Sequence, residues 1–173
     1  EGRTVSIPHT LLISALGIDP HVDLTALEID MLLYSYMYSW RPDAREAIYN
    51  NLVTEAEYPD ALTMLYKLRP GVKIHPGGDW DNDELISTDY AASFKRRGTA
   101  ISAPDKRFYK RIERMETPDN YTFNVYLNRP FAPAIRELAN PTWAIIPEKV
   151  MEKHKSLSQK AFGAYEQALE HYR

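Results

Sequence analysis

Two short stretches in which apolar and polar side chains nearly alternate constrain this chain more than anything else in it. Successive side chains of a strand point to opposite faces. Leu62, Met64, Tyr66 and Leu68 therefore share one face of the first stretch, and Phe123, Val125 and Leu127 share one face of the second. Each has a turn ahead of it, Pro59-Asp60 in one case and Thr117-Pro118-Asp119-Asn120 in the other. Proline presets φ and aspartate can bond the turn backbone. Val53 to Tyr58 and Leu62 to Leu68 are thus expected to form a β-hairpin, and the two alternating strands to share one small antiparallel sheet.

The rest of the chain reads as many short elements. Its 12 prolines are concentrated at joints, where they stop elements instead of interrupting them, a pattern that suits an α/β lobe better than a helical bundle. Thr10 to Leu16 is a nearly continuous apolar run, as for a strand buried on both faces, and ends at Gly17. Apolar positions from Thr25 to Ser39 recur at three and four residues and predict a helix. Ala44 to Leu52 reads as a short helical piece and His75 to Leu85 as a loop. Ser87 or Thr88 is expected to cap a helix reaching about Arg97, with Asp89 near its positive end and Gly98 stopping it. Asp105 to Met115 predicts a second helix with Phe108, Ile112 and Met115 on its face. Pro133 to Leu138 and Pro147 to His154 are further helical pieces, residues after Gly163 favour helix by propensity, and no internal repeat stands out.

Composition excludes several classes. A net charge of −3 with 26% charged residues is ordinary for a folded domain and lacks the basic excess of a nucleic-acid binder. No window is long and apolar enough to cross a bilayer as a helix. With 0 cysteines there is no disulfide framework, thiol nucleophile or Cys-based zinc site. The five histidines are scattered, without HxH or HExxH spacing, so neither metal nor cofactor is expected. Asp79 to Glu84 mimics a calcium loop but lacks its glycine and distal glutamate, and reads as solvated. Lys95-Arg96-Arg97 reads as an exposed helix face. No GxSxG, phosphate loop or Ser/His/Asp pattern is present, and nothing argues for an enzyme.

One ordered series of marks runs from Tyr66 to Val150. It comprises Leu68-Arg69-Pro70-Gly71-Val72-Lys73-Ile74-His75, then Ser87-Thr88-Asp89-Tyr90, then Asp119 to Leu127 with Pro130-Phe131-Ala132-Pro133, and finally Ile145-Ile146-Pro147-Glu148. This series resembles the first lobe of the extracytoplasmic solute-binding proteins that feed peptide- and nickel-type ABC importers. The likeness extends from about Leu11 to about Phe162. It implies an α/β, periplasmic-binding-protein-like type II fold, here a partial first lobe with a mixed sheet, a small antiparallel strand set and flanking helices. Residues 1–173 would then be a truncated N-terminal lobe, with 164–173 departing from the family pattern.

The function implied is capture of a peptide or similar small solute by closure of two lobes. Permease subunits would be the partners, outside the cytoplasmic membrane, and membrane contact would come only through them or a lost anchor. A contrasting reading is a truncated lobe without transport activity, serving as an interaction module or as a non-functional fragment. By position in the family, Asp19, Pro20 and His21 lie in a loop that contacts the ligand backbone, or else in a plain connection. Trp143 walls the cleft, or else is core. Ile101 and Ser102 border the cleft, and Tyr36 belongs to an aromatic cluster (Tyr34, Tyr36, Tyr38, Trp40) with one face toward core and the other toward ligand.

Overall fold

The computed structural model of the chain describes residues 20–21, 31, 33–40, 48–74, 83–100 and 106–153. The expected strand Thr10 to Leu16, the mixed sheet it would begin, and the segment after Gly163 lie outside the described residues. Six strands are described: β1 (Tyr38–Trp40), β2 (Ile48–Asn50), β3 (Val53–Asp60), β4 (Thr63–Leu68), β5 (Ile112–Asp119) and β6 (Thr122–Leu127). The helices are α1 (Ser87–Thr99), α2 (Ala134–Leu138) and α3 (Glu148–Lys153), with 3-10 turns at Tyr109–Arg111 and Pro141–Trp143.

The two alternating stretches are β4 and β6, and they pair antiparallel at the centre of a sheet of order β3-β4-β6-β5. Their apolar face is the core: Tyr66, Phe123 and Val125 are fully buried, with Met64, Leu68 and Leu127 beside them. Helix α1 covers this face through Phe94, whose ring meets Phe123 edge-on at 5.1 Å. Burying such side chains contributes roughly 1.5–3 kcal/mol each, so this face carries most of the sheet's stability. The outer face is polar and internally bonded. Lys67 Nζ donates to Thr122 Oγ1 at 2.9 Å, Tyr126 Oη donates to Glu116 Oε2 at 3.0 Å, and the Arg114 guanidinium lies 3.6 Å over the Tyr126 ring.

A repeat does run through the sheet. Glu57-Tyr58-Pro59-Asp60-Ala61-Leu62-Thr63 and Glu116-Thr117-Pro118-Asp119-Asn120-Tyr121-Thr122 follow one pattern, E-x-P-D-x-x-T. In the first hairpin Val53, Glu55, Ala56, Glu57 and Asp60 oppose Leu68, Lys67, Tyr66, Leu65 and Thr63. In the second, Ile112, Arg114, Met115, Glu116 and Asp119 oppose Leu127, Tyr126, Val125, Asn124 and Thr122. The pairs match one for one, both register shifts included. Asp60 Oδ1 accepts from Leu62 N at 2.7 Å, and Asp119 Oδ1 accepts from Tyr121 N at 2.8 Å. Pro59 and Pro118 fall in bulged stretches of the two edge strands, where a missing N–H is tolerated. Leu65 lies opposite Asn124, its own counterpart, so a pseudo-twofold axis passes between them.

Strand replaces expected helix in two segments and at the end of a third. Asp105 to Met115 contains a 3-10 turn and then the start of β5. Its helix-like spacing comes from the bulge between Ile112 and Arg114, which lets Ile112 and Met115 pack on one core although three residues apart. The end of the Thr25 to Ser39 pattern is strand: Met31 and Leu33 are helical, but Tyr38–Trp40 pairs with Ile48–Asn50, inside the segment expected as Ala44 to Leu52 helix. Tyr38 is claimed by the sheet core, edge-on to Tyr66 at 6.4 Å and bonded to Tyr58 through their hydroxyls at 3.0 Å. The aromatic cluster of Tyr34, Tyr36, Tyr38 and Trp40 is therefore not carried on one helix.

Helix α1 forms where expected, but Ile86 is its cap residue, and Asp89 Oδ2 accepts from the Ile86 amide at 2.8 Å. Gly98 lies inside the helix. A Cβ there would stand 2.0 Å from Cγ of Tyr109, so the residue serves close approach to that ring and not termination.

Candidate functional site

The site is built on one segment, Thr142 to Glu148, which begins in a 3-10 turn and ends at the start of α3. Asn140 starts it: its Oδ1 accepts from Thr142 N at 3.0 Å and Thr142 Oγ1 at 2.9 Å. Residues 144–147 belong to no helix or strand, yet Ala144, Ile145 and Ile146 are buried. Buried backbone groups without a ladder must find other partners. One flank supplies two: His21 Nε2 donates to Ala144 O at 2.8 Å, and Ile145 N donates to Ser35 O at 3.0 Å.

The opposite flank is α1. Ser93 Oγ donates to Ile146 O at 2.9 Å and accepts from Ile146 N at 2.8 Å. Asp89 Oδ1 accepts from Glu148 N at 2.7 Å, and Arg97 Nη2 reaches Thr142 Oγ1 at 3.5 Å. Asp89, Ser93 and Arg97 stand four residues apart, so they form one stripe along the helix. All three are buried. This corrects the reading of Lys95-Arg96-Arg97 as an exposed face: Arg97 is 1% exposed and lies 5.4 Å from the centre of the Trp143 ring. The end of the acidic loop is likewise tied down. Asp83 Oδ2 accepts from Lys149 Nζ, and Glu84 Oε1 accepts from Gly71 N and Tyr121 Oη.

Electrostatics follow from burial. Desolvation, then the positive Arg96 and Arg97, hold His21 down to about 3, outweighing the bond to Ala144 O. The imidazole is neutral, and since a carbonyl only accepts, its proton sits on Nε2. Burial raises the Asp89 carboxyl, while the Ile86 and Glu148 amides and Lys149 pull it back. Among the described residues no group of His and carboxylates gathers that could hold a metal ion.

Of the residues singled out by sequence, Trp143 belongs to the segment and His21 bonds to it, while Tyr36 is buried and its carbonyl accepts from Leu52 N. His21 bonds the residue after Trp143, and Tyr36 follows the residue that bonds Ile145. Pro20 is buried beside His21. Asp19, Ile101 and Ser102 lie outside the described residues. Trp143 is 2% exposed, with its ring edge-on to Phe94 at 5.1 Å and Phe108 at 5.2 Å, and its Nε1 finds no acceptor among the described residues. The sequence assigns Ser93 no role and puts Arg97 on an exposed face, although the buried polar stripe was legible as polar residues at i, i+4 and i+8 beside Tyr90 and Phe94.

Comparison with known proteins bears on the whole arrangement. The family described as "Bacterial extracellular solute-binding proteins, family 5 Middle" matches residues 47–167. The glutathione-binding protein GsiB of Salmonella paratyphi A is 36% identical over 100 residues, covering 55% of this chain and 18% of that protein. GsiB of Escherichia coli K12 is 33% identical over the same length. The chain thus spans about a fifth of the curated relatives it matches. Among solved structures, Listeria monocytogenes OppA bound to peptide superposes with a TM-score of 0.71 at 19% identity, over 84% of this chain and 31% of that one. AgaA of A. tumefaciens R10 with agropinic acid gives 0.70 at 25%, over 80% and 27%. DppA of Helicobacter pylori with the peptide STSA gives 0.69 at 23%, over 83% and 31%. The OppA and DppA likenesses carry the fold, a periplasmic-binding-protein-like type II architecture of which this chain covers a part, and the family match carries the kinship. The chain belongs to the bacterial extracellular solute-binding proteins of family 5, a class of binding proteins and not of catalysts.

Proposed function

We propose that residues 1–173 form part of the first lobe of a two-lobe substrate-binding component of an ABC importer, and that it captures a short peptide or similar solute outside the cytoplasmic membrane. The permease subunits are its partners. The observation that supports this reading is the bond from His21 to Ala144 O, which ties two separately chosen positions, His21 and Trp143, to one buried stretch of chain, taken here as part of the ligand wall. Asp19, Pro20, Ile101 and Ser102 complete the wall in this reading. The Trp143 Nε1–H, which has no acceptor among the described residues, supplies a donor for a ligand oxygen, since a buried indole N–H ordinarily finds an acceptor. Solute bridging both lobes stabilises the closed form by contacts it lacks in the open one. A peptide suits such a wall because backbone pairing tolerates varied side chains, and GsiB is by name a glutathione binder.

The test is titration calorimetry of the full-length protein against di- to tetrapeptides and glutathione. Saturable binding in the micromolar range or tighter is expected. Absence of heat for every peptide, with saturable binding of a sugar or metal chelate instead, overturns the ligand class.

A further inference from the structure

The polar stripe on α1 is unusual for a helix face buried this deeply. Asp89, Ser93 and Arg97 are 6%, 1% and 1% exposed, between positions occupied by Tyr90 and Phe94. Apolar side chains at such sites cost nothing in desolvation, whereas a buried carboxylate or guanidinium does. The stripe faces Thr142 to Glu148, and each member meets a different rung of it: Arg97 at Thr142, Ser93 at Ile146, Asp89 at Glu148. Ser93 engages both the N–H and the C=O of one residue, the pair of bonds that a neighbouring β-strand would otherwise supply.

The arrangement has two edges. On one, Ala144 O and Ile145 N are held by His21 and Ser35. On the other, where a sheet would place a strand, stands a helix whose backbone groups are already used. Only side chains can satisfy that edge, and their spacing fixes how far along α1 the segment lies. We propose that Ser93, with Asp89, is a positioning residue for ligand capture. It never touches the solute, but it locks Trp143 to Ile146 in the register that presents the ligand wall. This rests on the solute-capture reading given above. It adds that affinity is controlled from the α1 side of the segment, opposite to His21 and Ser35.

The experiment uses the full-length protein and the tightest peptide from the pool above. Ser93→Ala removes both bonds to Ile146 and leaves two buried backbone groups unpaired, Ser93→Thr restores the hydroxyl, and Val125→Ala lowers stability from the sheet core as a control. Amide hydrogen exchange at Ile146 is expected to speed up by about tenfold or more in Ser93→Ala. Peptide affinity should fall about tenfold, with recovery of most of it in Ser93→Thr and unchanged affinity in Val125→Ala. Unaltered Ile146 exchange in Ser93→Ala overturns the clamp. Faster exchange with affinity within twofold of wild type overturns its role in capture. A wild-type protein that binds no peptide sinks the capture reading instead, and the Ile146 exchange result still decides the clamp.

Discussion

The apolar face of the four-stranded sheet and residues Thr142 to Pro147 are both buried, yet they are held by opposite means. The sheet is held by regular backbone ladders and an apolar face, so any side chain of similar size and character serves at most positions. The segment has no ladder, and it is held by individual polar groups: Ser93, Asp89, His21 and the carbonyl of Ser35. Its partners therefore cannot be exchanged for others of like hydrophobicity. The contrast locates specificity of structure in the segment and bulk stability in the sheet.

The largest effect expected from this contrast is on the sheet side. Phe123→Ala empties the space between Tyr66, Tyr90 and Phe94 and should cost about 3–5 kcal/mol, read as a lower denaturation midpoint. Peptide affinity, measured where the variant is folded, should stay near wild type. A large affinity loss would erase the distinction between the two regions.

Acid should loosen the segment before the sheet. Below pH 6.5 the unfolded chain protonates His21, while the folded protein refuses that proton until about pH 3, so stability falls with falling pH across this window. The slope approaches about 1.4 kcal/mol per pH unit at its steepest. Burial raises the Asp89 carboxyl, so protonation there favours the fold and opposes part of the His21 loss near the acid end. The turn carboxylates Asp60 and Asp119, held low chiefly by the amides of Leu62 and Tyr121, release their stabilisation only as pH falls below the ordinary aspartate range. Denaturation midpoints collected from pH 7 to 4 should show the slope, and His21→Gln, which retains a donor for Ala144 O, should flatten it. An unchanged slope would mean that His21 is not the group responsible.

A smaller effect is expected at Gly98. Alanine there drives the Tyr109 ring from α1 and should cost roughly 1–3 kcal/mol. Tyr109→Ala in the same chain should remove most of that penalty. The smallest is on the outer sheet face: Arg114→Ala breaks an exposed pair with Glu116 at 3.0 Å and should leave the denaturation midpoint close to that of wild type.

How far each region could be read from sequence follows from the same contrast. Alternation announced β4 and β6, because a half-buried strand repeats every two residues. β5 was hidden by its own bulge, which gives Ile112 and Met115 a helix-like spacing. The twin hairpins were visible in principle as E-x-P-D-x-x-T written twice, but so few fixed letters carry little weight until the matching register is seen. Tyr38 and Ser39 ended a helical pattern and were drawn into a strand by the aromatic core around Tyr66. His21 and Trp143 were found through family position, whereas their meeting at Ala144 depends on contacts across more than a hundred residues, which no local pattern encodes.

The most direct test of the account is amide-resolved hydrogen exchange on the full-length protein, with and without saturating peptide. Protection should rise at Thr142 to Glu148 and around His21, and stay unchanged on the outer face of the sheet at Glu57, Asn124 and Glu116. Saturable binding with no change at Thr142 to Glu148, or with protection confined to the outer sheet face, would contradict it.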